Sequence, residues 1–314
     1  MIISRGPVAP AYPRLLVHPL GPLFRHLPLE LRRHLLYVNA HRRWGNFSSP
    51  TSFTEKMQWR IINDRREILT LACDKLRSKQ YVQEQWDKAG LGERYKIPVT
   101  YWCGTDLNEL RNTLDNIPHR FVLKPNSSSG RYLLLDTEAE AIPSNLLVEL
   151  HREWLSPDEE TEVFGHHGYV GAKRCLIVEQ RIGIGDTAPV DIRIFTNDGE
   201  VIGSACTGRN PDGAYWSATF DERFERKPSG YSGQVPLDYP TPLSDLTQSE
   251  LDVLREAARV ATREFDQVRI DLYRDGDTYY FGEFTAYSSS GLMGYNTETD
   301  YRYGAKWRLP STKD

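Results

Sequence analysis

Residues 268–291 read VRIDLYRDGDTYYFGEFTAYSSSG, and their pattern predicts a β-hairpin. From Val268 to Tyr273 apolar and polar residues alternate strictly, which is typical of a strand with one buried face. Thr278 to Tyr287 is rich in aromatic residues and forms the second strand, and the intervening Asp275-Gly276-Asp277 is a turn signal. Polar residues from the two ends of the stretch are therefore expected side by side.

Two carboxylates, Asp271 and Glu283, come close together across this hairpin. Carboxylates on adjacent strands repel each other unless a proton or a cation lies between them. Oxygen ligands with an open side suit Mg²⁺, which proteins usually hold with one or two carboxylates together with nucleotide phosphates. A hairpin whose charges simply face water is the equally supported alternative.

The register of the hairpin separates these two hypotheses. A two-residue loop at Asp275-Gly276 would pair position 271 with position 280 and turn Glu283 to the sheet face opposite Asp271. A metal site therefore requires an odd loop, such as Asp275-Gly276-Asp277, or a β-bulge.

The composition describes a chain of 314 residues with a net charge of -4 and a pI of about 6.1. This length allows two or three subdomains, and the overall charge predicts no nucleic acid partner. Residues 1–60 differ, because they hold nine Lys and Arg against two Glu. Such a segment is suited to a weak association with an anionic polymer or a membrane surface, and a merely solvated basic face is the alternative.

The four cysteines are widely spaced and form no CxxC pair, which argues against a zinc site or a disulfide scaffold and favours a reducing cytoplasm. Prolines interrupt the N-terminal apolar residues, so we expect no signal peptide. The sequence contains no run of about 18 apolar residues, so we expect no transmembrane helix. His166-His167 has no third ligand at a sensible spacing, and we interpret the pair as surface residues.

A polar loop, PNSSSG at residues 125–130, follows the strand Phe121–Lys124. Backbone N–H groups in such a turn can wrap phosphate oxygens, and the lysine supplies the counter-charge. The loop lacks the GxxxxGK[ST] spacing of a Walker A motif. An ordinary serine loop between strands is the alternative.

Three cations, Lys75, Arg77 and Lys79, occupy the first turns of a helix that begins at Asp74. A helix N-terminus favours negative charge, so an anionic ligand docked there would resolve the conflict. Side chains that point to water are the alternative.

Two more strands carry charged residues. Leu176–Glu179 ends in an acid and can offer backbone groups and a carboxylate to an adenine edge, although an ordinary strand end has the same pattern. Val190–Thr196 carries Asp191 and Arg193 on one face. Residues 207–240 are rich in Gly, Pro, Arg and Tyr and are interpreted as a long functional loop.

In their order along the chain, these features resemble the ATP-grasp superfamily. DKLRSK at residues 74–79 is similar to the corresponding helix of D-alanine–D-alanine ligases. Four features resemble the TupA-like ATP-grasp family of teichuronopeptide biosynthesis: Phe53 to Lys56, FVLKPNSSSG at 121–130, the VRIDLY and YFGEFT pair, and the basic N-terminal segment. The resemblance covers residues 40–305.

The resemblance implies an α+β chain with the ATP-grasp fold, in which two α+β subdomains clamp ATP, preceded by a mainly helical N-terminal extension. The implied segments are the extension (1–50), a pre-grasp subdomain (51–118), a lid subdomain (119–185) and a C-terminal subdomain with the metal site (186–314).

The resemblance also implies a role for each matching residue on the phosphate side. Lys75 and Lys124 would hold the phosphates of ATP, and Ser128, Ser129 and Gly130 would form the flexible loop over them.

For the nucleoside, the resemblance assigns adenine to Glu179 and to the backbone of Arg181 and Ile182. Asp191 would contact the ribose, although Asp186 is nearly as well placed.

For the metal, the resemblance assigns Mg²⁺ to Asp271 and Glu283. Many ATP-grasp enzymes carry Asn two residues after that glutamate, and here the position is Thr285, whose oxygen would bind a second metal ion more weakly. Arg269, the second catalytic candidate beside Lys124, would stabilise the anionic oxygens of an acyl phosphate.

The implied function is an ATP-dependent carboxylate–amine ligase in a polysaccharide, cell-envelope or specialised-metabolite pathway. Its partners would be a small-molecule or glycan carboxylate and an amine co-substrate, read by the 207–240 loop. There are two alternatives. One is an ATP-grasp kinase with a hydroxyl acceptor, and the other is a non-catalytic nucleotide-binding module. The paired metal carboxylates argue against the binding module, which would not need them.

Overall fold

The computed structural model describes residues 24–138, 142–156, 163–183, 189–210, 212–228 and 234–311. The helices are α1 (Leu29–His41), α2 (Phe53–Asn63), α3 (Glu67–Cys73), α4 (Lys75–Lys88), α5 (Leu107–Leu114), α6 (Ser144–Leu155), α7 (His167–Gly171), α8 (Gln248–Thr262) and α9 (Thr297–Lys306). The strands are β1 (Tyr95–Lys96), β2 (Thr100–Gly104), β3 (Arg120–Pro125), β4 (Leu133–Asp136), β5 (Leu176–Gln180), β6 (Asp191–Asn197), β7 (Glu200–Arg209), β8 (Tyr215–Phe220), β9 (Arg226–Lys227), β10 (Val268–Asp275) and β11 (Thr278–Thr285).

A seven-stranded sheet in the order β1-β11-β10-β6-β7-β8-β9 is built around the predicted hairpin, β10–β11. Strict alternation sends Val268, Ile270 and Leu272 to one face, where they are fully buried in one core with Leu254 and Ala258 of α8. Helix α8 begins at a capping box formed by Thr247 and Glu250, and its apolar stripe covers this face of the sheet. The polar positions of β10 are thereby turned to the other face.

A second sheet has four antiparallel strands in the order β2-β5-β3-β4. Its own core contains Phe121, Leu123 and Val178 and is closed by apolar residues of α5 and α6. Strand β2 falls in the predicted 51–118 segment but pairs with β5, so this small sheet draws on two of the implied subdomains. The subdomain boundaries themselves stay a prediction.

A β-bulge sets the register of the hairpin. Asp275 pairs with Thr278, so the connection has two residues rather than the three of the predicted turn. Gly282 is then the extra residue that brings Glu283 directly opposite Asp271 on one face. The bulge supplies the odd residue that the metal hypothesis requires.

Helix α1 docks onto the loop that follows the hairpin. In that loop Ser289, Ser290 and Gly291 all have left-handed backbone conformations, with φ of 47°, 56° and 63°, which is unfavourable for the two serines. Arg33 of α1 is fully buried and donates to the Ser290 carbonyl at 2.6 Å and to Ser290 Oγ at 3.0 Å. These bonds hold the loop in place.

Several sequence-based expectations need correction. Residues 207–240 are not one long loop, because β8 and β9 lie within them. Of the nine cations in residues 1–60, Arg33 and Arg60 are fully buried, so the predicted basic face is smaller than its composition indicates. Association with an anionic polymer or a membrane surface stays a prediction. In the described part of the chain, none of the helices is both long and apolar enough to cross a lipid bilayer.

Gly304 of α9 provides a test of backbone packing. A Cβ there would lie 2.3 Å from the Thr51 carbonyl oxygen and 2.7 Å from the Phe53 nitrogen, at the start of α2. We expect Gly304→Ala to lower the free energy of unfolding by about 1–3 kcal/mol in urea titrations, because a backbone must shift, even though alanine favours a helix. Gly294→Ala, with open space around the new methyl group, is the matched control and should change stability by less than about 0.5 kcal/mol. Equal effects of the two substitutions would contradict this packing.

His166 makes acid stability testable. Its ring stacks on Tyr287 at 4.7 Å and contacts Ser290 Oγ at 2.8 Å, so the residue is not the surface histidine that the sequence predicted. Burial, together with the nearby Arg33, lowers the pKa of His166 to about 3, whereas an unfolded histidine has a pKa of about 6.5.

The unfolded chain therefore binds a proton between pH 6.5 and 3 that the folded chain does not. This contribution to stability is complete above about pH 6.5 and is lost as the pH falls. We expect the free energy of unfolding of the wild type to fall with decreasing pH by up to about 1.4 kcal/mol per unit more steeply than that of His166→Gln. Urea titrations of both proteins at pH 7, 6 and 5 measure this difference, and parallel slopes would contradict a neutral His166 in the folded protein.

Candidate functional site

The polar face of the large sheet carries the predicted metal residues. Arg269 and Asp271 of β10 lie beside Thr285 and Glu283 of β11, each directly across the ladder from its partner. On the other side of β10, Arg193 of β6 is opposite Asp271. The structure thus brings the predicted Arg269, Asp271, Glu283 and Thr285 together on one face.

Each carboxylate on this face already has a cation supplied by the chain. Arg269 donates to both oxygens of Asp271, at 2.6 and 2.5 Å. Lys75 Nζ lies 3.5 Å from Glu283 Oε2. The two carboxylates therefore have cationic partners within the chain itself. Burial raises the pKa of Asp271, and Arg269 and Arg193 oppose that rise.

The donor set nevertheless fits a magnesium ion that is shared with a ligand. Asp271, Glu283 and Thr285 offer oxygen atoms only, and the described residues contain no cluster of three or more His, Cys, Asp or Glu side chains that could hold a metal ion. Two carboxylates with the remaining positions left to phosphate or water match the preference of Mg²⁺.

Two cations of helix α4, Lys75 and Lys79, point into the protein interior. Asp74 caps the helix and accepts hydrogen bonds from the Leu76 and Arg77 amides, so the chain itself supplies the negative charge at this N-terminus. Lys75 and Lys79, one helical turn apart, are both buried, whereas Arg77 pairs with Glu67 at the surface. The alternative in which these side chains point to water therefore holds for Arg77 alone.

Lys75 links the small sheet to the large one. Its Nζ donates to the carbonyl oxygen of Ser128, in the loop after β3, and also lies beside Glu283 of β11. Desolvation lowers the pKa of Lys75, and Glu283 opposes the shift. The predicted phosphate loop and the predicted metal pair therefore belong to one site.

The loop after β3 is anchored at its start and open at its end. Asn126 accepts from the Leu76 amide at 2.9 Å and donates to the Lys173 carbonyl at 2.7 Å. Ser129 and Gly130, which has φ +70°, are exposed.

Ser128 Oγ, by contrast, is buried and has no hydrogen-bond partner among the described residues. A buried hydroxyl without a partner is costly, and a bound phosphate oxygen would satisfy it. The loop residues fit a polyphosphate on this ground.

Lys124, Glu179 and Lys79 form a buried triad at the end of the small sheet. One carboxylate oxygen of Glu179 contacts Lys124 Nζ and the other contacts Lys79 Nζ. Burial would raise the pKa of Glu179, but the two lysines lower it overall. Both oxygens of the Glu179 carboxylate are thus engaged by lysines in the ligand-free protein.

The predicted nucleoside residues lie on two strands. Arg181 and Ile182 directly follow β5, and the Ile182 side chain is buried. Asp191, at the start of β6, accepts from Arg193 at 2.7 Å and from Thr207 Oγ1 at 3.4 Å. Asp186 lies outside the described residues.

Sequence reasoning named Lys79 only among the cations at the start of α4, without a role of its own, and missed Tyr169 as a member of this site. The spacing of Lys79 from Lys75 is a recognisable signal, since residues four apart share a helix face. Tyr169 of α7 is partly buried, its hydroxyl bonds to the Ser129 side chain, and desolvation, Cys73 and Glu283 raise its pKa. No motif in the sequence links Tyr169 to residues 40 or more positions away.

Comparison with known proteins finds one matching family and several solved structures of low sequence identity. Solved structures similar to this chain include D-alanine–D-alanine ligase from Bacillus anthracis (15% identity, TM-score 0.39, 69% of this chain and 58% of that chain). Another is the D-alanine–D-alanine ligase from Helicobacter pylori (14% identity, TM-score 0.44, 82% of this chain and 68% of that chain). A third is the L-amino acid ligase from Bacillus licheniformis (14% identity, TM-score 0.41, 78% of this chain and 52% of that chain). The chain thus spans little more than half the length of the B. anthracis and B. licheniformis enzymes. No curated protein matches it.

The sequence model described as TupA-like ATPgrasp matches residues 55–308, which contain both sheets, the lysines of α4 and β3 and the carboxylates of the hairpin. The sequence resemblance is thereby confirmed, together with the ATP-grasp fold. The chain belongs to the TupA-like ATP-grasp family.

Proposed function

We propose that this protein is an ATP-dependent carboxylate–amine ligase that forms an amide through an acyl phosphate. The observation that carries the proposal is the position of Lys75, which joins the Ser128 loop to Glu283 within one buried site. Cations for a polyphosphate and carboxylates for a magnesium ion are thus adjacent, as phosphoryl transfer requires.

In this proposal Lys75 and Lys124 hold the phosphates, and residues 128–130 close over them, with Ser128 Oγ gaining its missing partner. Because Glu179 is held by two lysines, adenine is assigned to the backbone of Arg181 and Ile182 rather than to the Glu179 carboxylate. Asp191 remains the proposed ribose partner.

Asp271, Glu283 and Thr285 would hold Mg²⁺, which neutralises charge on the phosphates when bound. Arg269 and Lys75, which pair with these carboxylates in the ligand-free protein, would then be available to other anions. The Arg269 guanidinium is suited to the oxygens of an acyl phosphate, because its planar donors match such groups.

The reaction has two steps. A carboxylate oxygen attacks the γ-phosphorus of ATP, and the bond to the β–γ bridging oxygen breaks to release ADP. An amine then attacks the acyl carbon, inorganic phosphate leaves, and the amine loses a proton to give the amide. The chain contributes positioning and electrostatic stabilisation rather than a covalent intermediate of its own.

The proposed substrates are a small-molecule or glycan carboxylate and an amine, in a cytoplasmic step of polysaccharide, cell-envelope or specialised-metabolite synthesis. Screening uronic acids and amino acids for ADP release identifies the carboxylate. Hydroxylamine added to the active mixture should yield a hydroxamate, because it captures an acyl phosphate. ADP release with a phosphorylated hydroxyl product and no hydroxamate would instead indicate a kinase and overturn the ligase proposal.

Lys124 provides the first mutational test. We expect Lys124→Ala to weaken ATP binding measured by calorimetry by about 1.5–3 kcal/mol, because a charge-assisted contact to phosphate is lost. ADP release should become nearly undetectable, with the far-ultraviolet circular dichroism unchanged. Lys88→Ala, at an exposed lysine of α4, is the matched control. Unchanged nucleotide affinity of Lys124→Ala would remove Lys124 from the site.

Glu283 provides the second test, with separate effects on the free and the bound protein. Glu283→Gln leaves the buried Lys75 without its carboxylate, so we expect the free energy of unfolding without ligand to fall by about 1–3 kcal/mol, less than for a fully buried pair. The extra thermal stabilisation that Mg²⁺ adds to ATP should largely disappear, since ligand stabilisation follows affinity.

Glu67→Gln, which breaks the exposed pair with Arg77, is the control for Glu283→Gln. It should change the unfolding free energy by less than about 0.5 kcal/mol and leave the magnesium effect intact. A wild-type magnesium effect in Glu283→Gln would exclude Glu283 as a ligand.

A further inference from the structure

The triad of Lys79, Glu179 and Lys124 joins three separate elements at the inner end of the small sheet. Lys79 comes from α4, Glu179 from β5 and Lys124 from β3. Lys79 Nζ also lies 3.2 Å from Thr100 Oγ1, on β2. All three charged side chains are more than nine-tenths buried.

This arrangement poses a problem for a nucleotide-binding lysine. Lys124 must direct N–H donors to a phosphate, yet in the ligand-free protein its ammonium group contacts Glu179. Turning it away would leave a buried carboxylate short of a partner, which is strongly unfavourable. A second cation on the same carboxylate removes most of that difficulty.

We propose that Lys79 is a positioning residue that keeps Glu179 neutralised and thereby releases Lys124 to bind the phosphates of ATP. The inference rests on the proposed function, because it concerns the same nucleotide site. Lys79 itself need not touch the nucleotide, since its ammonium group already has Glu179 and Thr100 as partners. The two lysines share one carboxylate so that one of them can leave.

Removal of the Lys79 charge is expected to have a specific effect on nucleotide binding, because it changes the number of cations that share Glu179. In Lys79→Met, Lys124 is the only remaining partner of Glu179 in the triad and is retained there. The apparent dissociation constant rises in proportion to the loss of the binding-competent state. If Glu179 is also replaced by Gln, no carboxylate remains to retain Lys124, and the double variant has the same net charge as the wild type.

The experiment is calorimetric titration of Mg·ATP into the wild type, Lys79→Met, Lys79→Arg and the double variant K79M/E179Q. We expect Lys79→Met to bind at least about tenfold more weakly, and both Lys79→Arg and K79M/E179Q to return to within about threefold of the wild type. If Lys79 only stabilised the fold, removal of the Glu179 charge as well would not be expected to restore the affinity for Mg·ATP.

Three results decide the question. Wild-type affinity in Lys79→Met overturns the proposal, and so does a double variant that binds as weakly as Lys79→Met or more so. If Lys79→Met cannot be isolated folded, the double variant alone decides, because a loss of about tenfold or more in its affinity also overturns the proposal. Absence of Mg·ATP binding in the wild type would instead refute the proposed function on which this inference rests.

Discussion

A buried carboxylate needs a cation, and this condition organises the polar half of the protein. The large sheet turns Asp191, Asp271 and Glu283 toward one face, and the small sheet ends in Glu179. Each acid has a cationic partner. Asp191 pairs with Arg193, and Asp271 pairs with Arg269. Glu283 pairs with Lys75, and Glu179 pairs with both Lys79 and Lys124. Without such pairing, burial of Asp271 and Glu179 would be prohibitive.

The same pairing places most of the proposed ligand-binding groups in contact with one another before any ligand arrives. Lys75 and Lys124 each contact a carboxylate, and Asp271 and Glu283 each contact a cation. In the proposed function, a magnesium ion bound by Glu283 would free Lys75 for phosphate, and a phosphate bound by Lys75 would free Glu283 for the metal. Nucleotide and metal are therefore expected to strengthen each other's binding, which is a reciprocal coupling by thermodynamic necessity.

The chain beyond the hairpin shows how the site is kept rigid. The left-handed turn at Ser289 and Ser290 comes four residues after Thr285 and is held by Arg33, by His166 and by Gln58, whose Nε2 lies 3.1 Å from the Ser290 carbonyl. Helix α1 thus fastens the end of β11, although it lies far from that strand in sequence. Strained backbone conformations persist only where the surroundings hold them, as they do in this turn.

The sequence by itself determined the local elements and the family. Strict alternation over Val268–Tyr273 predicted β10, because this signal acts between residues a few positions apart. The capping-box sequences at Ser52 and Thr247 are equally local signals for the starts of α2 and α8. The sequence also pointed to Lys124 and to the Asp271 and Glu283 pair.

Only the tertiary structure decided the partners. The bulge at Gly282 was left open by the sequence because either register satisfies the local pattern. The structure pairs Glu179 with Lys79 and Lys124, and Lys75 with Glu283, although these residues are 50 to over 200 positions apart. It also encloses His166 and Tyr169 in part, in a segment of the sequence without periodicity. Electrostatic pairing across such separations depends on where the elements pack, and no local pattern in the chain encodes it.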